Sequence, residues 1–271
     1  MRRTITGFSN PTVKFLRSLR EKKHRKLERR FLAEGLRLLT DAREAGRLPE
    51  MLVMAPARQA HPLLEALAAD VEAAGGEILE MDEAILAKVT GKDNPQSVCG
   101  VFAEFSTSLS AIDRSEAPIW LVAQAMRDPG NLGTMLRTGD AVGAGGLILL
   151  DDCADPFSVE AVRASMGAIF TQRLARARWE EFAGWLRQGA KLEGGQLVGA
   201  SLRDALPYRE APYAAPCFIL VGNESRGLPQ ECEDACDLRV TIPMLGRADS
   251  LNAAVAAAVL AYEVRARLGR D

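Results

Sequence analysis

"TIPMLGRADSLNAAVAAAVLAYEVRARLG", residues 241–269, opens as an extended apolar run and closes as an alanine-rich helix. Between the two lies a polar loop, 246–252, where a buried strand hands over to a buried helix. An N-cap accounts for part of it, because Asp249 or Ser250 can accept hydrogen bonds from the first free helical N–H groups. Capping does not account for Asn252, nor for the long approach through Gly246 and Arg247. Strand, polar loop and helix in that order also describe an open α/β sheet. Ligands bind such sheets at the loops leaving the carboxyl ends of the strands.

Around this stretch, buried strands are expected at 119–125, 147–150, 197–200, 218–221 and 239–242. Helices are expected at about 132–143, 158–166, 179–188, 229–235 and 251–268. Continuous apolar strands alternating with helices predict a parallel sheet covered on both faces. Upstream, "PTVKFLRSLREKKHRKLERR" (11–30) predicts one helix with Asn10 as cap and Pro11 at its first position. Strands at 31–33, 51–55, 77–81 and 98–105 alternate with helices at 36–45, 61–74 and 83–89. The polar stretch "STSLSAIDRSEAP" (106–118) reads as a linker. Two α/β domains are therefore expected, 1–105 and 119–271, joined by that linker.

A hydrophobic content of 48% in 271 residues supports a sizeable core. No apolar run approaches the ~20 residues of a membrane span. The N-terminus lacks the apolar core of a signal peptide. A cytoplasmic protein without a membrane partner is expected. The five cysteines show no CxxC spacing, and no second Cys/His pair completes a site with Cys232 and Cys236. His24 and His61 are the only histidines, so no metal site is expected. The net charge of −2 hides an asymmetry. Residues 1–47 carry a local +9 and the remainder about −11. A basic arm on an acidic body is a common nucleic-acid-binding layout. A solvated helix with an unbalanced face produces the same pattern. Lys14, Arg17, Arg20, Lys22, Lys23, Arg25 and Lys26 are the candidate phosphate contacts.

The usual nucleotide signatures fail. There is no G-x-x-x-x-G-K-[ST]. The cluster Gly139, Gly143, Gly145 and Gly146 ends a helix and feeds a strand, the reverse of a Rossmann phosphate loop, so it reads as a helix C-cap and tight turn. Three other segments share the strand–polar loop–helix order: 124–151, 218–237 and the quoted stretch. Their loops bring Asn131, Arg137, Glu224, Ser250 and Asn252 within reach of one crevice. Each has a bland reading as a cap or a first-turn residue, but together they leave many polar groups near buried strand ends.

These segments closely resemble the three motifs of the SpoU (TrmH-like) RNA 2′-O-ribose methyltransferases of the SPOUT superfamily. The matches are N-L-G-x-x-x-R, V-G-N-E-x-x-G-L and I-P-M-x-G-x-x-x-S-L-N, in that order. "RASMGAIF" (163–170) looks like the family's intervening segment. "SNPTVKFLRSL…FLAEGLRLL" resembles its accessory substrate-binding domain, of ribosomal-protein-L30-like α/β fold. The resemblance implies a C-terminal parallel-sheet catalytic domain with a deep trefoil knot, S-adenosyl-L-methionine as cofactor, and a homodimer through the catalytic domain. By resemblance, the backbone at Gly222, Ile242 and Leu251 contacts the adenosyl portion, and Leu220, Val221, Asn223, Met244 and Gly246 line the site. Asn131, Arg137, Glu224, Ser250 and Asn252 form the catalytic surface. The implied reaction is methylation of a ribose 2′-hydroxyl in structured RNA, with ribosomal RNA expected ahead of tRNA.

Arginine stays protonated below pH ~12, which favours Arg137 as a cation holding phosphate and developing alkoxide over Arg137 as a base. The family's use of this arginine as a base remains the alternative. A non-catalytic RNA-binding or ribosome-assembly protein of the same fold, and a SPOUT enzyme acting on a base nitrogen, are competing readings. A bulky residue at Gly222 is expected to block the cofactor while leaving the chain folded.

Overall fold

The computed structural model describes residues 2–55, 61–92, 96–188 and 195–269, in two compact units. The first comprises 1–105 together with 155–171. Its sheet runs β1-β4-β3-β5-β2, from β1 (Arg2–Ile5), β2 (Arg30–Glu34), β3 (Met51–Met54), β4 (Glu77–Met81) and β5 (Val98–Ala103). Strands β1, β4 and β3 are parallel, and β5 lies antiparallel to both β3 and β2. Helices α1 (Pro11–Ser18), α2 (Lys22–Glu28), α3 (Leu36–Glu44), α4 (Pro62–Ala73) and α5 (Glu83–Thr90) complete the unit up to residue 105. Val13, Leu16 and Leu19 pack with Val53, Leu79, Leu86 and Val89 in its core. Strand β1 was not expected. Only Ile5 of its residues is buried, so the segment carries no apolar pattern. Backbone pairing to β4 holds this edge, with Arg3 ion-paired to Glu77 at 2.9 Å.

The single helix expected over 11–30 is two. Asn10 caps α1 as expected, accepting from the Thr12 N–H at 2.8 Å. The helix then stops because Arg25, 3% exposed, reaches back and donates from Nη1 to the carbonyls of Leu19 and Arg20 at 2.9 and 2.7 Å. Its Nε and Nη2 pair with Asp155 at 2.9 and 2.7 Å. Arg25 is thus committed inside the unit, which removes it from the candidate phosphate contacts. Breaking a buried ion pair strands the remaining charge. Arg25→Ala is expected to destabilise this unit by about 3–5 kcal/mol in chemical denaturation. A loss below about 1 kcal/mol would contradict the assignment.

After β6 (Ile119–Gln124), α6 (Pro129–Val142) and β7 (Gly146–Leu150), all of the second unit, the chain contributes α7 (Val159–Ala164) and α8 (Ala168–Thr171) to the first. Aromatic packing explains the excursion. The Phe31 ring centroid lies 5.0 Å from that of Phe157, and Phe102 lies 4.8 Å from Phe170. In packing, the block expected over 119–271 is thus interrupted at 155–171.

The second unit, 106–154 with 172–271, adds β8 (Arg173–Ala177), α9 (Trp179–Leu186), β9 (Gln196–Ala200), β10 (Leu206–Pro207), β11 (Cys217–Val221), α10 (Gln230–Ala235), β12 (Leu238–Thr241) and α11 (Ala253–Leu268). Its seven strands run β10-β12-β9-β11-β6-β7-β8, every pair parallel. The central strands β6, β7 and β11 are buried throughout, as their apolar runs require. Strands β8 and β10 sit at the edges, where arginines and a proline are tolerated and the apolar signal is weak. The expected linker 106–118 is not a loose connection. Leu109, Ile112 and Ala117 are buried in one cluster with Trp120, Phe182 and Phe218. Among the described residues no helix is long and apolar enough to cross a membrane, and no group of His, Cys, Asp and Glu could hold a metal.

Candidate active site

All the parallel strands of the second unit point the same way, so the loops leaving β6, β9, β11 and β12 share the carboxyl edge of the sheet. Asp128 caps α6, its Oδ1 accepting from the Asn131 N–H at 2.7 Å. This fixes Asn131, 9% exposed, in the first turn. Its Nδ2 donates to Glu224 Oε1 at 3.0 Å, and its Oδ1 accepts from Asn252 Nδ2 at 2.9 Å. Glu224 also accepts from the backbone N–H groups of Asp128 at 3.2 Å and Arg127 at 3.3 Å. Burial raises the Glu224 carboxyl. Hydrogen bonds from its own backbone N–H, the Asn131 amide and the Asp128 and Arg127 amides outweigh that and hold it below its ordinary value. The carboxylate therefore stays ionised at neutral pH and acts as an acceptor that ties two loops together.

Asn252 has a second task. Its Oδ1 caps α11, accepting from Ala254 N at 2.9 Å and Val255 N at 3.2 Å. The cap is thus Asn252, not Asp249 or Ser250, and the helix starts at Ala253 instead of 251. One residue both starts the last helix and reaches Asn131, which explains a position that capping by its neighbours left unexplained.

A cleft of about 540 Å³ opens beside this chain of amides. Its floor is the tight loop after β11. Asn223 and Gly227 exchange both backbone hydrogen bonds, at 3.1 and 2.9 Å. Asn223 Oδ1 accepts from Ser225 N at 3.0 Å, and its Nδ2 donates to the Ala125 carbonyl at 2.9 Å. A Cβ on Gly222 would collide with the backbone of Gly227 and Leu228. A valine there breaks the loop itself, so the expectation that it leaves the chain folded is corrected.

Of the expected residues, Val221, Gly222, Asn223, Glu224, Ile242, Met244, Ser250 and Leu251 border the cleft. Leu220 does not; it is fully buried in the sheet. Gly246 does not border it either, nor do Asn131, Arg137 and Asn252. Ser250 is exposed and donates from Oγ to Asp249 Oδ1 at 3.1 Å. Arg137 is exposed on α6, six positions after Asn131. That spacing turns it roughly 120° round the helix from the Asn131 cluster. The cleft also takes in Ala200 at the end of β9, Ser201, Leu202 and Arg203 after it, and Ala256 and Leu260 of α11. The same rule that flagged the other loops reaches residues 201–203, since they too follow the carboxyl end of a buried strand.

Against known proteins, residues 118–262 match the model of the SpoU rRNA Methylase family, and residues 10–100 match the MRM3-like substrate binding domain. The 23S rRNA (guanosine(2553)-2′-O)-methyltransferase RlmP of Bacillus subtilis is 32% identical over 96% of this chain and 98% of its own length. An AdoMet-bound rRNA methyltransferase from Sinorhizobium meliloti is 40% identical and superposes with a TM-score of 0.90 over 99% of both chains. The SpoU methyltransferase AviRb from Streptomyces viridochromogenes, solved in complex with AdoMet, is 28% identical, with a TM-score of 0.85 over 95% of this chain and 98% of that one.

Proposed function

Because this chain belongs to the SpoU rRNA methylase family, we propose that it methylates a ribose 2′-hydroxyl of ribosomal RNA, using S-adenosyl-L-methionine. The observation that carries this reading is the cleft at the carboxyl edge of the sheet, with the Glu224–Asn131–Asn252 chain fixed alongside it. The cleft fits the cofactor in size. Val221, Ile242 and Leu260 offer apolar walls, and Gly222, Ile242 and Leu251 border the cleft, which supports their backbone groups as the partners of the adenosyl portion. When bound, the cofactor supplies an electrophilic sulfonium methyl group. The protein must then align the hydroxyl and stabilise its developing charge. Alignment alone contributes ~7–11 kcal/mol. Glu224, Asn131 and Asn252 hold the loops in register, Ser250 presents a hydroxyl at the rim to the ribose, and Arg137 provides a cation for phosphate and alkoxide.

We also infer the trefoil knot and the homodimer. Helix α11 returns across β6 and β11 and packs on α6, a path that supports the knot. The turn of Arg137 away from its own Asn131 supports a site completed by a second copy. RNA as substrate suits the first unit. Lys14, Arg17, Arg20, Lys22, Lys23 and Lys26 are exposed, and none has an acidic partner among the described residues. A cytoplasmic setting follows from a ribosomal RNA substrate.

Two measurements test this reading. Ala256 lines the cleft from α11, so Ala256→Phe adds a ring to that wall. Calorimetry is expected to show at least about tenfold weaker binding of S-adenosylmethionine, a loss of ~1.4 kcal/mol. Unchanged affinity would put the cofactor elsewhere. The triple replacement of Lys22, Lys23 and Lys26 by Gln is expected to flatten the salt dependence of RNA binding by about 0.7–0.9 in log–log slope for each phosphate no longer neutralised. Cofactor affinity should not change. A native slope in this variant would remove α2 from the RNA interface.

A further inference from the structure

We propose that Phe8 is a stacking platform for an unpaired RNA base, set at the edge of the cationic face of α1 and α2; the proposal rests on the RNA-substrate reading above. The chain has nine phenylalanines. Eight are buried or half-buried, while Phe8 leaves 53% of its surface open. It sits at the tip of the turn that starts α1, closed by the Asn10 N–H donating to the Gly7 carbonyl at 3.2 Å. The turn is anchored on its helix side by the Asn10 cap, so the tip is held in place. Beyond Gly7 and its two chain neighbours, no atom of the described residues lies within 4 Å of where a Cβ on Gly7 would stand, so this side of the turn is clear.

Position relative to charge gives the tip its meaning. Pro11, Lys14, Arg17 and Arg20 are exposed at intervals of three after Phe8, and Lys22, Lys23 and Lys26 are exposed on α2, the next helix. Lys14 lies one turn into α1, roughly 5 Å along its axis. A strand of RNA whose phosphates follow these cations brings a nucleotide to Phe8. Phosphate contacts position a nucleic acid without reading it. An aromatic face adds a distinct demand, because only an unpaired base has a free π-face to stack. The occupant is therefore a single-stranded loop or bulge, not a continuous duplex. Stacking tolerates any base, so Phe8 selects for unpaired structure and not for sequence.

Steady-state methyl transfer to unmodified, transcribed 23S ribosomal RNA tests this. Phe8→Ala is expected to raise KM for the RNA about tenfold, within the range one stacked base contributes. It should leave kcat within about twofold, and leave cofactor affinity, thermal stability and salt slope unchanged, since every cation that pairs with phosphate is still present. Phe8→Trp is expected to restore KM, and RNA should quench its indole emission more than that of the native chain, which has three tryptophans of its own. A native KM in Phe8→Ala, or RNA quenching in Phe8→Trp no greater than in the native chain, would overturn the stacking role. A salt slope flattened as in the triple lysine variant would also overturn it, by making Phe8 a support for the cations. A native chain that transfers no methyl group to RNA would overturn the functional reading and this inference together. An active native chain with an indistinguishable Phe8→Ala variant overturns this inference alone.

Discussion

Arg137→Ala is expected to cut methyl transfer by about 100- to 1000-fold, the scale seen when one preorganised stabilising group is removed from a transition state. Stability and cofactor affinity should be native. Arg137 is exposed on α6 and borders neither the cleft nor the Asn131 cluster, so truncation opens no buried cavity and strands no partner among the described residues. The position also yields a sharper test. In the homodimer proposed above, Arg137→Ala and Asn252→Ala proteins, each nearly inactive, can be mixed and allowed to exchange subunits. If the arginine serves the second copy's site, a heterodimer carries one intact composite site and part of the activity returns. Activity that stays at background after verified exchange would place Arg137 in its own subunit's chemistry.

Asn252→Ala should be the second severe variant, for a different reason. Asn252 joins the α11 cap to Asn131, and through Asn131 to Glu224. Alanine removes the cap, at a cost of about 1 kcal/mol, and leaves the Asn131 amide oxygen without its donor. Methyl transfer is expected to fall at least about 100-fold as the loops lose register. Asn252→Asp separates the two tasks. Aspartate still accepts from Ala254 and Val255, so stability should be close to native. It cannot donate to Asn131, and it adds a carboxylate near Glu224, so activity should remain as low as in the alanine variant. A native-like rate in Asn252→Asp would show that the cap, and not the Asn131 link, is what catalysis requires.

The legible parts of this fold are those with strong local patterns. The wholly buried strands β6, β7 and β11 stood out as apolar runs, and Asn10 followed by Pro11 marked the start of α1. What was not legible depends on distant partners. No local signal stops a helix at Leu19; Arg25 does so by taking two carbonyls, held in place by Asp155 from far along the chain. Likewise Phe157 and Phe170 read as members of the second unit until their rings meet Phe31 and Phe102 in the first. Leu109 and Ile112 were hidden among serines. At the site, residue types and order pointed to loops that the structure gathers at one edge of the sheet, because polar groups at buried strand ends need a reason. The division of labour among them did not show in sequence. Asn252 as the cap, Gly222 pressed against its own loop and Leu220 turned into the sheet are matters of backbone path, which no short motif encodes.

The most direct test of the account is the fate of a labelled methyl group. Native protein, S-adenosylmethionine labelled in its methyl group and unmodified transcribed 23S ribosomal RNA are incubated together. The RNA is then digested with nuclease P1 and dephosphorylated, and its nucleosides are resolved by mass spectrometry. The account predicts label in a 2′-O-methylated nucleoside, with the added mass on the ribose fragment, and none in a parallel reaction with Arg137→Ala. Label on a base fragment, or no transfer by a protein that binds both cofactor and RNA, would contradict it.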